Sequence, residues 1–129
     1  MRKGLIVFTV FLFCVLASSC GEKSGYKDLD GMWQLQEITN LKTGETFQTV
    51  DEYFSFQMNI IQVRKIGFGS YFGSFTYTND VIRTNFKASA AQLKIFGLSA
   101  SEEDLIVERV NGNRLILRSD EARIRLRKY

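Results

Sequence analysis

The chain has 129 residues, of which 45% are hydrophobic, 13% aromatic and 24% charged, with a formal net charge of +3. It contains no histidine and no proline, and only two cysteines. Those absences exclude a Ser–His or Cys–His catalytic base, a histidine metal ligand and a histidine pH switch, and they leave the turns to Gly, Asn, Asp and Ser.

The first segment in chain order is a leader. Met1-Arg2-Lys3 is cationic, residues 4–16 form an apolar run, and Ala17-Ser18-Ser19 are small residues before Cys20. That is the anatomy of an export signal, and the run is shorter than the roughly 20 apolar residues of a membrane-spanning helix. Small residues ending at a cysteine resemble the lipobox of bacterial lipoproteins. The resemblance implies that the Cys20 thiol carries diacylglycerol, that the signal is cut before it, and that the new N-terminus can gain a further acyl chain (palmitate). This sequence departs from the commonest lipobox in having Ala17 three places before the cysteine, with Leu16 one place earlier. Ordinary cleavage after Ser19 and an uncleaved anchor are the other readings. Loss of residues 1–19 leaves Cys20 as the one thiol, which excludes an internal disulfide. It also removes Arg2 and Lys3, so 15 basic residues face 14 acidic ones and the net charge falls to +1. A nucleic-acid partner thereby loses its support.

Residues 20–28 then hold the lipidated cysteine and a small, polar tether, and 29–129 form one domain of ordinary size. Within it, short runs of β-branched and aromatic residues alternate with turn residues, which predicts strands near 31–39, 45–50, 53–64, 67–78, 81–87, 105–111, 113–119 and 122–128. Asn111-Gly112 is the strongest hairpin signal, read as a type I′ turn, with Thr43-Gly44-Glu45 and Thr78-Asn79-Asp80 as weaker ones. Alternation puts Phe54, Phe56, Met58 and Ile60 on one face, and Tyr71, Gly73, Phe75 and Tyr77 on another. Residues 89–97 break the pattern: Ser89 can cap a short helix that Gly97 ends, with Leu93, Phe96 and Leu98 packed across an open end of the sheet.

Consecutive antiparallel strands with one apolar face protect their edges by closing, so the expected fold is all-β, an up-and-down barrel of about eight strands with one short helix. Gly31-Met32-Trp33 at the start of the first strand resembles the Gly-X-Trp signature of the lipocalins. The resemblance implies that Trp33 plugs one barrel end and that an arginine of the last strand, Arg125 among Arg123, Arg125 and Arg127, packs across it. With its lipobox, this opening and its Leu126-Arg127-Lys128-Tyr129 end, the chain is similar to the small lipocalin-like lipoproteins of Bacteroidetes. It lacks the Thr-Asp-Tyr motif of a full lipocalin and the helix just before the final strand. The resemblance therefore implies a fold and an address in the bacterial envelope, at the outer membrane on its periplasmic or surface face.

Among candidate sites, Phe54, Phe56, Tyr71, Phe75 and Tyr77 either line a pocket for a small apolar ligand or fill a small barrel. Gly67-Phe68-Gly69 and Gly73 lie among aromatics in a strand, so they relieve crowding at a bend and do not cradle phosphate. Arg114, Arg118, Arg123, Arg125, Arg127 and Lys128 form either a solvated strand face, partly neutralised by Asp120 and Glu121, or a surface for anionic headgroups. Asp51, Glu52, Glu102, Glu103 and Asp104 fall at turns and segment ends in water, with no pairing for acid–base work and no metal-ligand spacing. The sequence thus points to a non-catalytic, cofactor-free protein without a metal site. It is anchored to the membrane by its N-terminal lipid and binds a small apolar or amphipathic ligand. The alternative is a solid barrel that docks or inhibits an envelope protein.

Overall fold

The computed structural model describes residues 28–129; the leader, Cys20 and most of the tether lie outside the described residues. Nine strands follow in order: β1 (Gly31–Asn40), β2 (Thr46–Gln48), β3 (Glu52–Gln57), β4 (Ile60–Lys65), β5 (Gly69–Thr78), β6 (Val81–Phe86), β7 (Glu102–Val110), β8 (Arg114–Arg118) and β9 (Ala122–Lys128). Helix α1 (Ala90–Leu93) and the single 3₁₀ turn Lys94–Phe96 lie between β6 and β7. All pairings are antiparallel, and β9 returns to β1 over Trp33↔Lys128 to Asn40↔Ala122, so eight strands close a barrel with no free edge.

β2 stands outside that ring. The near half of β1 pairs with β3 and the far half with β2, where Ile38 faces Phe47. The expected strand over 53–64 is two strands: Gln57 pairs with Ile60 across a two-residue turn in which Met58 has φ 57°. Alternation through 54, 56, 58 and 60 imitates one straight strand, but the turn resets the phase. Ile61 and Val63 point inward, while Met58 and Ile60 are 75% and 49% exposed.

The turns correct a second expectation. Asn111-Gly112 has no residue at positive φ; Asn111 instead accepts the Asn113 and Arg114 amides at 2.8 Å each on its side-chain oxygen, forming a three-residue loop. The two-residue turn with both centres left-handed is Asn79-Asp80, at φ 52° and 61°.

Inward positions along the strands build one core: Trp33 and Leu35, Phe54 and Phe56, Ile61 and Val63, Phe75, Ile82 and Phe86, Leu105 and Val107, Leu115 and Leu117, Ile124 and Leu126. Each such side chain contributes about 1.5–3 kcal/mol on burial. Gly73 is needed where β5 passes from β4 to β6, because a Cβ there would lie 2.7 Å from the Asn85 carbonyl and 2.9 Å from the Phe86 ring. Gly67 and Gly69 have open space around them and positive φ, so they serve the β4–β5 turn and relieve no crowding.

Helix α1 begins with a reciprocal capping box: Ser89 Oγ accepts the Gln92 amide, and the Gln92 side chain accepts the Ser89 amide at 2.9 Å. Gly97, at φ 84°, ends the 3₁₀ turn. Leu93, Phe96 and Leu98 are buried against the core and cap one barrel end.

Candidate functional site

The barrel has two distinct ends. At one lie the start of β1, the turns at Met58-Asn59, Asn79-Asp80 and residues 111–113, and the end of β9. Trp33 is completely buried at that end, and its indole Nε1 donates to the Leu29 carbonyl at 2.8 Å, which folds Leu29 in beneath it. The cation over Trp33 is Lys128, with its Nζ 4.5 Å from the ring centroid and donating to the Asp30 carbonyl. Arg125 is not at the plug: it faces outward and holds Glu37 at 2.9 Å. The reason is register, since Lys128 pairs with Trp33 whereas Arg125 lies level with Glu37. Gly31 belongs to the same arrangement, because it has φ 122° and a Cβ there would meet Lys128 Nζ at 2.5 Å.

Between the ends the aromatic set is packed on itself. Phe54, Phe56 and Phe75 are essentially fully buried, and Tyr71 and Tyr77 are half-buried at the margin of the core. Phe56 meets Phe75 edge-on at 5.3 Å, and Phe96 meets both Phe54 and Tyr71 edge-on at 6.4 and 6.5 Å. These are the edge-to-face separations of a filled interior. Burial, with Asp80 and Asp28 nearby, pushes the Tyr77 phenol above its ordinary value.

At the helical end a groove of about 470 Å³ opens between β2 and α1. Ile38, Phe47 and Thr49 form one wall, Ala90, Ala91 and Ile95 the other, and Leu98 and Ala122 the floor, with Lys94 and Glu121 as its charged groups. Phe47 is 54% exposed, the largest side chain of the groove and held by a strand that pairs on one side only. Sequence reasoning passed over Phe47, although a lone aromatic between Thr46 and Gln48 in a polar stretch was a usable signal.

Two carboxylates depart from the expectation that all lie in water. Glu52 opens β3 on its inward face, is 6% exposed, and pairs with Lys65 at 3.5 Å through one oxygen, while the other has no hydrogen-bond partner. Burial pushes its carboxyl above the ordinary value, against the opposing pull of Lys65. Glu103 is half-buried and accepts the Ser99 amide at 3.0 Å, and burial raises it too. Asp104 is exposed and held low by its hydrogen bond from Arg83.

The lipocalin-like domain family model matches residues 13–129. The chain belongs to the lipocalin-like domain family. Two solved structures share its fold: a lipocalin-like protein from Bacteroides uniformis, and an uncharacterised protein from Bacteroides eggerthii. Each is 19% identical with a TM-score of 0.67; the first covers 79% of this chain and 99% of its own, the second 78% and 99%. A comparison with the curated proteins finds no match.

The lipocalin-like barrel presents its basic residues unevenly. Arg118 and Arg123 stand opposite each other on β8 and β9 and share Glu108, at 3.6 and 2.6 Å. Glu108 reaches them because a bulge between Val107 and Arg109 leaves it out of the β7–β8 register on the outer face. Both guanidiniums hold the Glu108 carboxyl below its ordinary value, with Arg123 foremost. Asp120 has no part in this, and Glu121 pairs with Lys42 at 3.8 Å.

Proposed function

We propose that this is a lipid-anchored envelope lipoprotein that holds a small apolar or amphipathic molecule at its barrel mouth and performs no chemistry on it. Cys20 carries the lipid, and the address is the outer membrane of a diderm bacterium, on its periplasmic or surface face. The observation that carries the reading is the contrast between a filled interior and the half-exposed Phe47, which faces Ala90, Ala91 and Ile95 across the mouth. At about 470 Å³ the groove falls in the roughly 300–1,000 Å³ range of small-molecule sites. Lys94 and Glu121 offer a polar end for an amphipathic ligand. Phe54, Phe56, Tyr71, Phe75 and Tyr77 then support the site from beneath.

Native mass spectrometry of the protein, purified gently from the envelope of its own host, tests this. A co-purifying small molecule that leaves on denaturation, and is lost in Phe47→Ser, is the expected result. A bare mass across repeated preparations would overturn it. That outcome would favour a solid barrel that docks or inhibits an envelope protein. One observation speaks for this second reading: exposed Ile66 and Phe68 of the β4–β5 turn adjoin exposed Val50, with the Ile66 amide donating to the Asp51 carbonyl.

A further inference from the structure

β8 and β9 carry two cross-strand arginine pairs on their outer face, Arg118↔Arg123 and Arg114↔Arg127. Like charges placed directly opposite each other destabilise a sheet. The first pair is bridged by Glu108. The second has no acidic partner among the described residues, and both of its arginines are exposed. They line a concavity of about 390 Å³ with Asn113, Gln36, Arg125 and Leu126. Exposed Arg109, on the next strand, also lacks an acidic partner among the described residues. A cationic pair left without a counter-charge in a polar hollow is arranged for an anion from outside the fold.

Location selects which anion. Arg114 and Arg127 sit at the Trp33 end, where the chain enters the barrel through Asp28 and Leu29. From Cys20 to Asp28 is eight residues, which span at most about 28 Å when fully extended. A lipid on Cys20 therefore keeps this end within about 28 Å of its own attachment to the bilayer, and the helical mouth farther along the barrel. Acids at the same end do not cancel the patch: Asp28 and Asp80 lie near Tyr77, on the β5–β6 side of the barrel. Asp30 precedes β1 beside Lys128, and among the described residues its carboxylate forms no ion pair with Arg114 or Arg127.

We propose that the outer wall of β8 and β9 at this end is a docking surface for the phosphate headgroups of an anionic membrane, gripped by Arg114 and Arg127. Orientation rests on the anchor proposed at Cys20; the surface itself is testable without it. The mature chain carrying Cys20→Ser, which no acyl chain can help, is mixed at low salt with phosphatidylcholine vesicles containing about one-third phosphatidylglycerol, and bound protein is read by flotation. Binding that is absent on pure phosphatidylcholine is expected. Arg114→Gln/Arg127→Gln should weaken it about 30-fold, at about fivefold for each charge near the surface. Arg118→Gln/Arg123→Gln removes the same net charge from the bridged pair and should change binding by less than about threefold. Equal losses in the two double variants would overturn the proposal, because net charge alone would then explain binding. So would failure of the Cys20→Ser chain to float, whatever the lipid state of the native protein. Inorganic phosphate that protected the Arg114–Arg127 pair in the absence of vesicles, while the chain failed to float, would also overturn it, since the site would then serve a free anion.

Discussion

Lys128 lies 4.5 Å above the Trp33 ring, and the indole is fully buried beneath it. Truncating such a tryptophan removes packing that nothing else can supply, so Trp33→Ala should cost about 3–5 kcal/mol in urea denaturation. Lys128→Gln loses the cation–π contact, about 0.5–2 kcal/mol, and the hydrogen bond to the Asp30 carbonyl, about 0.5–1.5 kcal/mol. Arg125→Gln gives up an exposed ion pair and should cost less than about 1 kcal/mol. If Arg125→Gln proved costlier than Lys128→Gln, this assignment of the plug would be wrong. Glu52 supplies a prediction of opposite sign. Its folded pKa lies above the ordinary value near 4.5, so the folded state holds the proton more tightly than the unfolded chain does. The stability this contributes is complete below the ordinary value and is lost as pH rises through the raised one. Glu52→Gln should therefore raise stability at neutral pH and leave it unchanged in acid. Thermal melts across that range check it, with Glu103, also raised by burial, keeping part of the slope in the variant.

At the scale of elements, the turns decide how well the fold can be read from the chain. Asn79 and Asp80 both occupy left-handed backbone, and Asn-Gly is the sequence that suits such a turn best. Asp80→Gly should stabilise the β5–β6 hairpin by about 0.5–1 kcal/mol, visible as a raised melting temperature. Ser89→Ala should cost α1 about 1 kcal/mol by removing its capping box. The helix was legible because the Ser89 cap, the Gly97 stop and the apolar spacing of Leu93 and Phe96 agree. The C-terminal meander was legible because alternation runs unbroken through β8 and β9 between turn residues, and only the bulge at Glu108 interrupts it in β7. Met58-Asn59 was not, since it has neither Gly nor Pro and sits where apolar residues keep a straight-strand rhythm. For the candidate site, the sequence marks Trp33 and the inward aromatics. The partner of Trp33 depends on the β1–β9 register, and the exposure of Phe47 on how β2 is held; both follow from long-range pairing that no local pattern encodes.

For the molecule as a whole, closure of β9 on β1 separates the side chains that fill the interior from those presented at the mouth. Trp33 and Leu29 fill one end, Leu93, Phe96 and Leu98 the other, and edge-on phenylalanines the space between. Substitutions inside the wall therefore act on folding, while those on β2 and α1 act on the mouth. Phe56→Ala should cost about 3–5 kcal/mol, because a close-packed interior relaxes only partly around the space left behind. At temperatures where that variant remains folded, it should carry the same co-purifying molecule as the parent protein. Phe47→Ser should behave in reverse: stability within about 0.5 kcal/mol, as for an ordinary surface change, and loss of the molecule. Urea denaturation and native mass spectrometry on the two variants read both quantities. If Phe56→Ala lost the ligand while still folded, the site would lie inside the barrel and the mouth would be its entrance. If the two variants behave as expected, the filled barrel is the rigid support on which β2 and α1 present the groove.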